Sequence, residues 1–218
     1  MPKDHLRKPV LLAGATAYAD VVIDSFECLS DLEITGILDN QTPSEKRQLP
    51  GLREILDDGS IDHMIKSHHV VCVLASTHRR KWIEDLERRG FSFASLIHPS
   101  CTISTRTAIG AGCILDVETV IAGFTQIGAH VRIGRGIRLG HHTHVGRYST
   151  LHPGCIISGQ VTIGEQVTIG TGSVVTDNVQ IGDGAVIAAG SVVTKKVLPG
   201  SIVRGVPARL VKQNYGPV

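Results

Sequence analysis

The chain has 218 residues, of which 42% are hydrophobic, and a formal net charge of only +2. This size permits one large domain or two ordinary ones, and so weak a charge gives no reason to expect a nucleic-acid or membrane partner. No apolar run approaches the roughly 18 residues of a spanning helix, and the N-terminus does not resemble a signal peptide. The five cysteines are widely spaced without a CxxC pair, so we expect free thiols in a cytoplasmic protein.

Up to about residue 99 the sequence alternates apolar runs with charged helical stretches. Strands are predicted at residues 9–13, 33–38, 70–74 and 93–97, and helices at residues 18–29 and 79–89. Strands that alternate with helices pair in parallel through right-handed crossovers, which predicts a small α/β Rossmann-like domain over residues 1–99. We expect the charges of the second helix to form a solvated face.

After residue 99 the helical pattern gives way to a period of six. An aliphatic residue occupies every sixth position from Ile103 to Val193 without exception, and a small or β-branched residue follows four positions later. A glycine often follows the aliphatic residue directly, where we expect a tight corner that requires glycine's conformational freedom. Three steps make a coil of about 18 residues, and coils stack about 4.8 Å apart. The pattern predicts an all-β left-handed parallel β-helix over residues 100–218.

The repeat [LIV]-G-x-x-[STAV]-x resembles that of the hexapeptide-repeat acyltransferases, and the segment VRGVPAR at residues 203–209 resembles their C-terminal acyl-coenzyme A segment. A short α/β domain, the link LIHPS at residues 96–100 and then the column are similar to the layout of the sialic-acid O-acetyltransferase (NeuD) and bacillosamine N-acetyltransferase (PglD) family. The resemblance implies a homotrimer with acetyl-CoA in the groove between adjacent columns. It also implies transfer of the acetyl group to an amino or hydroxyl group of a nucleotide-linked sugar, which the front domain partly holds.

This family's catalytic segment, His-[Asp/Glu]-x-x-[IV]-Gly, matches HHTHVG at residues 141–146, so the resemblance makes His141 the candidate general base. Histidine suits that role because it accepts a proton near neutral pH. His141 stands two positions after an inward leucine and should face outward, and a count of one coil each way places it between Gly123 and Gly159. A backbone N–H near Gly159 is the expected donor to the oxyanion. His142 occupies the position of the family's acidic residue.

Further contacts follow from the same resemblance. It implies that the cofactor is contacted by Gly159, Thr150, Gly205 and Pro207. Thr150 stands at the position of a second family histidine. For the acceptor it implies Gly14, Tyr18 and Asp39, which lie after the first two strands, and Asp39 also stands where a dinucleotide fold places its ribose-binding acid. The family segment Gly-[Asp/Asn]-Asn-x-x-Arg corresponds to residues 75–80, which retain only the arginine.

Two other interpretations remain open. The column could be a non-catalytic scaffold or binding protein in which these departures are relics. It could also be a zinc enzyme, because β-helical carbonic anhydrases bind zinc through histidines of neighbouring subunits. Their ligands follow the spacing His-x-x-x-x-His, which this column lacks, and His141, His142 and His144 cannot all point one way on a strand. We therefore assign no metal ligands.

Overall fold

The computed structural model describes residues 7–14, 17–39, 54–57, 61–74 and 79–213. It forms two compact units, Met1–Ala94 and Ser95–Val218. The sequence pattern alone places the boundary later, after residue 99. Residues 75–78, where the family's glycine-containing segment was expected, lie outside the described residues.

In its described residues, the first unit is a five-stranded parallel sheet with helices between several of its strands. Its elements are β1 (Lys8–Ala13), α1 (Ala17–Phe26), β2 (Leu32–Asp39), β3 (Glu54–Asp57), a 3₁₀ helix (Asp62–Met64), β4 (His69–Cys72), α2 (Arg79–Arg89) and β5 (Ser92–Phe93). The strand order is β3-β2-β1-β4-β5, and every pair is parallel. The direction of strand addition therefore reverses between β1 and β4, and crevices at the carboxyl ends of such strands are where α/β sheets bind ligands.

The two α-helices lie close to their predicted positions, and α2 corrects one expectation. Its buried residues are Arg79, Trp82, Ile83 and Leu86. These positions follow the spacing i, i+3, i+4 and i+7, so they share one face of the helix. Arg79 is only 2% exposed because it falls on this apolar stripe. The expectation that all the charges of the helix are solvated is therefore wrong at Arg79.

The second unit is a parallel β-solenoid built mostly from strands of two residues. These strands are β6 (Leu96–Ile97), β7 (Thr102–Ile103), β8 (Ala108–Ile109), β9 (Ile114–Leu115), β10 (Val120–Ile121), β11 (Gln126–Ile127), β12 (Arg132–Ile133), β13 (Arg138–Leu139), β14 (His144–Val145), β15 (Thr150–Leu151), β16 (Ile156–Ile157), β17 (Thr162–Ile163), β18 (Thr168–Ile169), β19 (Val174–Val175), β20 (Gln180–Ile181), β21 (Val186–Ile187), β22 (Val192–Val193), β23 (Ile202–Gly205) and β24 (Ala208–Lys212). They form three sheets of six, five and eight strands, one for each side of the coil. The last pair, β23 and β24, is an antiparallel hairpin.

The register of the solenoid follows the six-residue steps of the sequence. His144 pairs with Gln126 in the coil before and with Thr162 in the coil after, so neighbouring coils are 18 residues apart. From Leu115 onwards the stepped aliphatic residues form one buried core. Buried hydroxyls at the smaller inward positions donate to the carbonyl 15 residues later, as Thr125 does to Gly140 at 2.9 Å and Ser149 to Gly164 at 2.8 Å. The predicted inward positions are confirmed, and these bonds satisfy the polar groups that they bury.

The glycines that follow the aliphatic residues do not occupy the positive-φ corners, and that expectation is wrong. The corner conformation lies two residues further on, as at Gly172 with φ +67°, and non-glycine residues also adopt it, including Phe124 and Tyr148. Gly170 instead packs against the next coil, where an added Cβ would lie 2.5 Å from the backbone nitrogen of Ala189. Close stacking of coils, and not backbone conformation, therefore requires glycine at this position.

The strands differ from the prediction in two further places. The single strand predicted at residues 93–97 is two strands, because β5 pairs with β4 whereas β6 pairs with β9 of the solenoid. Ser95 between them bonds to the solenoid through its hydroxyl, which donates to Gly110 O and accepts from Cys113 N, both at 3.0 Å. Strand β3 was not predicted.

The five cysteines are free thiols, as expected. Cys113 and Cys155 lie in the solenoid core, and their burial raises the pKa of each thiol to about 11. Burial also raises the pKa of Cys101. No helix within the described residues is long and apolar enough to cross a membrane.

Candidate functional site

His141 lies at the corner that follows β13, with its side chain exposed as predicted. Its imidazole covers Gly159 in the next coil, where an added Cβ would lie 2.8 Å from Nε2 and from Cε1 of the ring. The absence of a side chain at Gly159 is therefore what gives the imidazole its place. The Nε2–Cε1 edge of the ring is the part that lies nearest this glycine.

His142 occupies the next position, a corner residue with φ +55°. Its Nδ1 lies 3.1 Å from Nδ1 of His141, and the two rings meet edge to face. The other partner of His142 is Phe124, one coil earlier, whose ring stacks on it with centroids 4.7 Å apart. The guanidinium carbon of Arg106 lies 5.1 Å from the Phe124 ring centroid. Arg106, Phe124 and His142 occupy the same corner position in successive coils, so the 18-residue step accounts for the whole stack.

The backbone N–H of Gly159 is already engaged in this structure. It donates to Oδ1 of Asp177 at 2.8 Å, and Asp177 lies one coil further along the same column. Gly159 therefore lies between His141 and Asp177 in this column, with the imidazole on one side and the carboxylate on the other. The sequence analysis missed Asp177, although the same count of 18 residues from Gly159 leads to it.

In the first unit, two of the predicted acceptor contacts lie at the carboxyl edge of the sheet. Gly14 follows β1 with φ +126°, and an added Cβ would lie 2.7 Å from Cδ2 of Leu74, so both conformation and space require glycine here. Asp39 ends the neighbouring strand β2 and is 2% exposed. Because Ala13 pairs with Leu38, Gly14 and Asp39 leave the two strands at the same level.

Tyr18 lies in the first turn of α1 and is partly buried. The buried Arg79 begins α2 after β4, so its backbone follows another strand of the same parallel sheet. The sequence analysis did not single out Arg79, although the helical spacing of Trp82, Ile83 and Leu86 was the signal for its burial. The arginine retained from the family segment is instead Arg80, which forms an ion pair with Glu84 at 2.7 Å.

Gly205 and Pro207, two predicted cofactor contacts, lie at the turn of the β23–β24 hairpin. Gly205 has φ +103° and ends β23, and the Val206–Pro207 bond is cis. A cavity of about 330 Å³ lies beside this hairpin, and its lining includes the cations Lys195, Lys196 and Arg209. The hairpin therefore offers positive charge and an apolar wall in one place.

Thr150 and Gly159, two predicted cofactor contacts, lie on different sides of the coil. Thr150 lies in β15 of the eight-stranded sheet, which also contains Gly205 at the end of β23, whereas Gly159 follows β16 of the six-stranded sheet. No group of three or more histidine, cysteine, aspartate or glutamate residues among the described residues is arranged to hold a metal ion.

Comparison with known proteins places the solenoid in a described family. The family model for the GMPPB C-terminal domain matches residues 97–206, which is half of the chain. No curated protein matches the chain in sequence.

Solved structures are similar over nearly the whole chain. PerB from Caulobacter crescentus, in complex with CoA and GDP-perosamine, is 25% identical, with a TM-score of 0.85 over 94% of this chain and 97% of that one. WeeI from Acinetobacter baumannii AYE is 26% identical, with a TM-score of 0.79 over 93% and 99% of the two chains. The acetyltransferase domain of PglB from Neisseria gonorrhoeae FA1090, at 22% identity and a TM-score of 0.85 over 94% and 100%, shows the fold alone.

Proposed function

Because the chain belongs to the family described as the GMPPB C-terminal domain and is similar over both units to PerB, we propose that it transfers an acetyl group from acetyl-CoA to a nucleotide-linked sugar. The acceptor atom is the nitrogen of an amino group or the oxygen of a hydroxyl group. The chain is then an acyltransferase, with acetyl-CoA as its co-substrate. PerB, whose structure holds both CoA and a GDP-linked sugar, is the relative that supports each half of this proposal.

The finer architecture belongs to the same proposal. We assign acceptor binding to a Rossmann-like domain at residues 1–99 and acyl transfer to a left-handed β-helix at residues 100–218. The strand order β3-β2-β1-β4-β5 with its reversal at β1 supports the first assignment. The active form is a cytoplasmic homotrimer, in which a neighbouring column completes the acetyl-CoA groove.

In this mechanism Nε2 of His141 is the general base. It takes a proton from the acceptor nitrogen or oxygen as that atom bonds to the thioester carbonyl carbon. The tetrahedral intermediate then collapses, the C–S bond breaks, and the CoA sulfur leaves with the proton from Nε2. Histidine is the side chain suited to both transfers near neutral pH.

The oxyanion of the intermediate requires a hydrogen-bond donor, and we assign the N–H of Gly159. The thioester oxygen must then replace Oδ1 of Asp177, which now accepts this bond at 2.8 Å. In other enzymes one such donor contributes roughly 3 kcal/mol to the transition state. Gly205 and Pro207 at the hairpin, and Thr150 from the facing side of a neighbouring column, complete the acetyl-CoA contacts. Gly14, Tyr18 and Asp39 contact the sugar nucleotide.

The observation that carries the proposal is the placement of His141 over Gly159. The imidazole lies where a side chain at residue 159 would be, so the base and the backbone donor assigned to the oxyanion belong to directly stacked residues. An ordinary surface histidine needs no glycine in the next coil. The segment HHTHVG and this geometry are therefore independent observations that both support His141 as the base.

The test is release of the CoA thiol from acetyl-CoA in the presence of GDP-, UDP- and dTDP-linked 3-amino and 4-amino sugars and of free sialic acid. Wild type and the His144→Asn variant, whose altered residue lies in β14, should turn over the same acceptor, and His141→Asn should not. Thermal unfolding with acetyl-CoA distinguishes the enzyme from a scaffold that does not bind this co-substrate. A ligand that binds the native state raises the melting temperature, so the enzyme should be stabilised and such a scaffold should not. Stabilisation by acetyl-CoA with no turnover of any acceptor would contradict an acetyltransferase acting on these sugars.

A further inference from the structure

The geometry points to a histidine dyad in which His142 is the positioning residue of His141. His142 accepts a hydrogen bond from Nδ1–H of His141 and so keeps the lone pair of Nε2 on the reactive side. His142 stands at the position of the acidic residue in the family motif. This inference rests on the proposed function, because it concerns the base of that reaction.

The Nδ1–Nδ1 distance of 3.1 Å allows one hydrogen between the two rings, and only one orientation suits a base. If His142 donated, the neutral His141 would carry its own hydrogen on Nε2, which could then accept no proton. If His141 donates, Nε2 keeps its lone pair. Because Nε2 is the edge that covers Gly159, the second orientation directs the lone pair toward the space beside the glycine.

The contacts of His142 leave its ring edge free to accept a hydrogen bond. Phe124 stacks on its face at 4.7 Å, so the edge can meet His141. Beyond Phe124, the guanidinium carbon of Arg106 lies 5.1 Å from the Phe124 ring centroid. The next coil presents the uncharged Gln160 at the same corner position, and Asp177 lies two coils on, in the column of His141.

A neutral acceptor also supports the charged form of the base. When Nε2 takes the proton, Nδ1–H belongs to an imidazolium, and its bond to His142 becomes charge-assisted and stronger. The dyad therefore stabilises the transient cation without a carboxylate. The stabilisation is smaller than that from a carboxylate because the acceptor has no charge of its own.

Three variants distinguish a positioning role of His142 from a purely structural one. His142→Phe keeps the stack on Phe124 and removes the acceptor, and Phe124 itself adopts the same corner conformation with φ +62°. His142→Asn keeps an acceptor oxygen, and asparagine adopts positive φ readily. His144→Asn is the matched control on the following strand.

We expect kcat/KM of His142→Phe to fall about 10- to 100-fold, as for other residues that orient a functional side chain, with acetyl-CoA affinity unchanged. His142→Asn should recover most of the activity, and His144→Asn should match wild type. Full activity of His142→Phe would overturn the dyad.

A second measurement tests whether the dyad forms, and it does not require that any acceptor is turned over. The nitrogen-15 shifts of labelled histidine imidazoles in the full chain, assigned with the His141→Asn and His142→Asn variants, report which ring nitrogens carry hydrogen. The dyad predicts hydrogen on Nδ1 of His141 and on Nε2 of His142 near pH 8. The opposite pair of tautomers would overturn the dyad, whereas the absence of turnover with every sugar would count against the proposed function alone.

Discussion

The solenoid and the first unit obtain their structures in different ways. In the solenoid, a single step of six residues places each aliphatic side chain inward, and a step of 18 gives its neighbours in the coils before and after. In the first unit, β1 lies between β2 and β4, which come from distant parts of the chain. The period of the sequence therefore determines which residues are in contact in the solenoid, whereas tertiary packing determines which strands are neighbours in the sheet.

The strongest test of this contrast is a pair of glycines in one corner of the solenoid. Gly170→Ala should destabilise the fold by about 3 kcal/mol, because its Cβ meets the backbone of the next coil at 2.5 Å. Gly172→Asn should cost less than about 1 kcal/mol, since the space around it is open and asparagine accepts φ +67°. Urea unfolding measures both. Equal losses would mean that coil spacing does not limit the solenoid.

Substitutions in the first unit should weaken binding of the sugar acceptor without changing binding of acetyl-CoA. Tyr18→Phe and Asp39→Asn should each raise the acceptor KM about tenfold, which corresponds to roughly 1.4 kcal/mol, because each removes one hydrogen-bonding or charged contact. The KM of acetyl-CoA should stay the same. Steady-state kinetics with both substrates varied provides the measurement. A parallel rise in both KM values would contradict the assignment of acceptor binding to this unit.

Alkaline pH should weaken the solenoid through its buried thiols. Thiols in the unfolded chain ionise near pH 9, whereas burial raises the pKa of Cys113 and Cys155 to about 11. Between these values the unfolded state has lost protons that the native state retains, so the free energy of unfolding falls as pH rises from 9 toward 11.

Urea unfolding at pH 8 and pH 10.5 measures this loss. The matched control is the double variant Cys113→Ser, Cys155→Ser, since Ser149 and Ser173 occupy the same inward position in other coils and bond similarly to carbonyl oxygens. The control should show a smaller loss between the two pH values. An identical loss would assign the effect to other groups.

The smallest expected effect concerns Asp177. If the thioester oxygen replaces Asp177 at the N–H of Gly159, Asp177→Ala removes a competitor and should lower the KM of acetyl-CoA about threefold, within the range of one hydrogen bond. Initial rates at varied acetyl-CoA measure this change. A raised KM would instead mean that Asp177 holds Gly159 in the geometry that binding requires.

Much of the solenoid and part of the candidate site could be predicted because both follow the coil count. The same count that placed His141 beside Gly159 also leads to Phe124 beside His142 and to Asp177 beyond Gly159. What failed was the physical reason given for the glycines. A glycine in the sequence does not reveal whether it occupies a positive-φ corner, as Gly172 does, or lies against a close neighbouring backbone, as Gly170 does.

The first unit was less predictable for a reason visible in β3 and Arg79. Strand β3 has only two apolar residues, Ile55 and Leu56, between charged ones, so its sequence carries little strand signal. Arg79 is buried on an apolar helical stripe whose spacing the sequence contains, but arginine is a residue type that is seldom buried, so its charge outweighs that signal. Strand order depends on packing between distant segments, which no local pattern encodes.

Single-turnover acetyl transfer by His141→Asn is the measurement that decides whether His141 is the base. The acceptor should be the best one of the nucleotide-sugar panel, the dissociation constant of acetyl-CoA should be measured in parallel, and His144→Asn serves as control. If His141 is the base, the transfer rate should fall about 100-fold or more, with acetyl-CoA binding unchanged. Transfer by His141→Asn at a rate close to that of wild type would rule out His141 as the base.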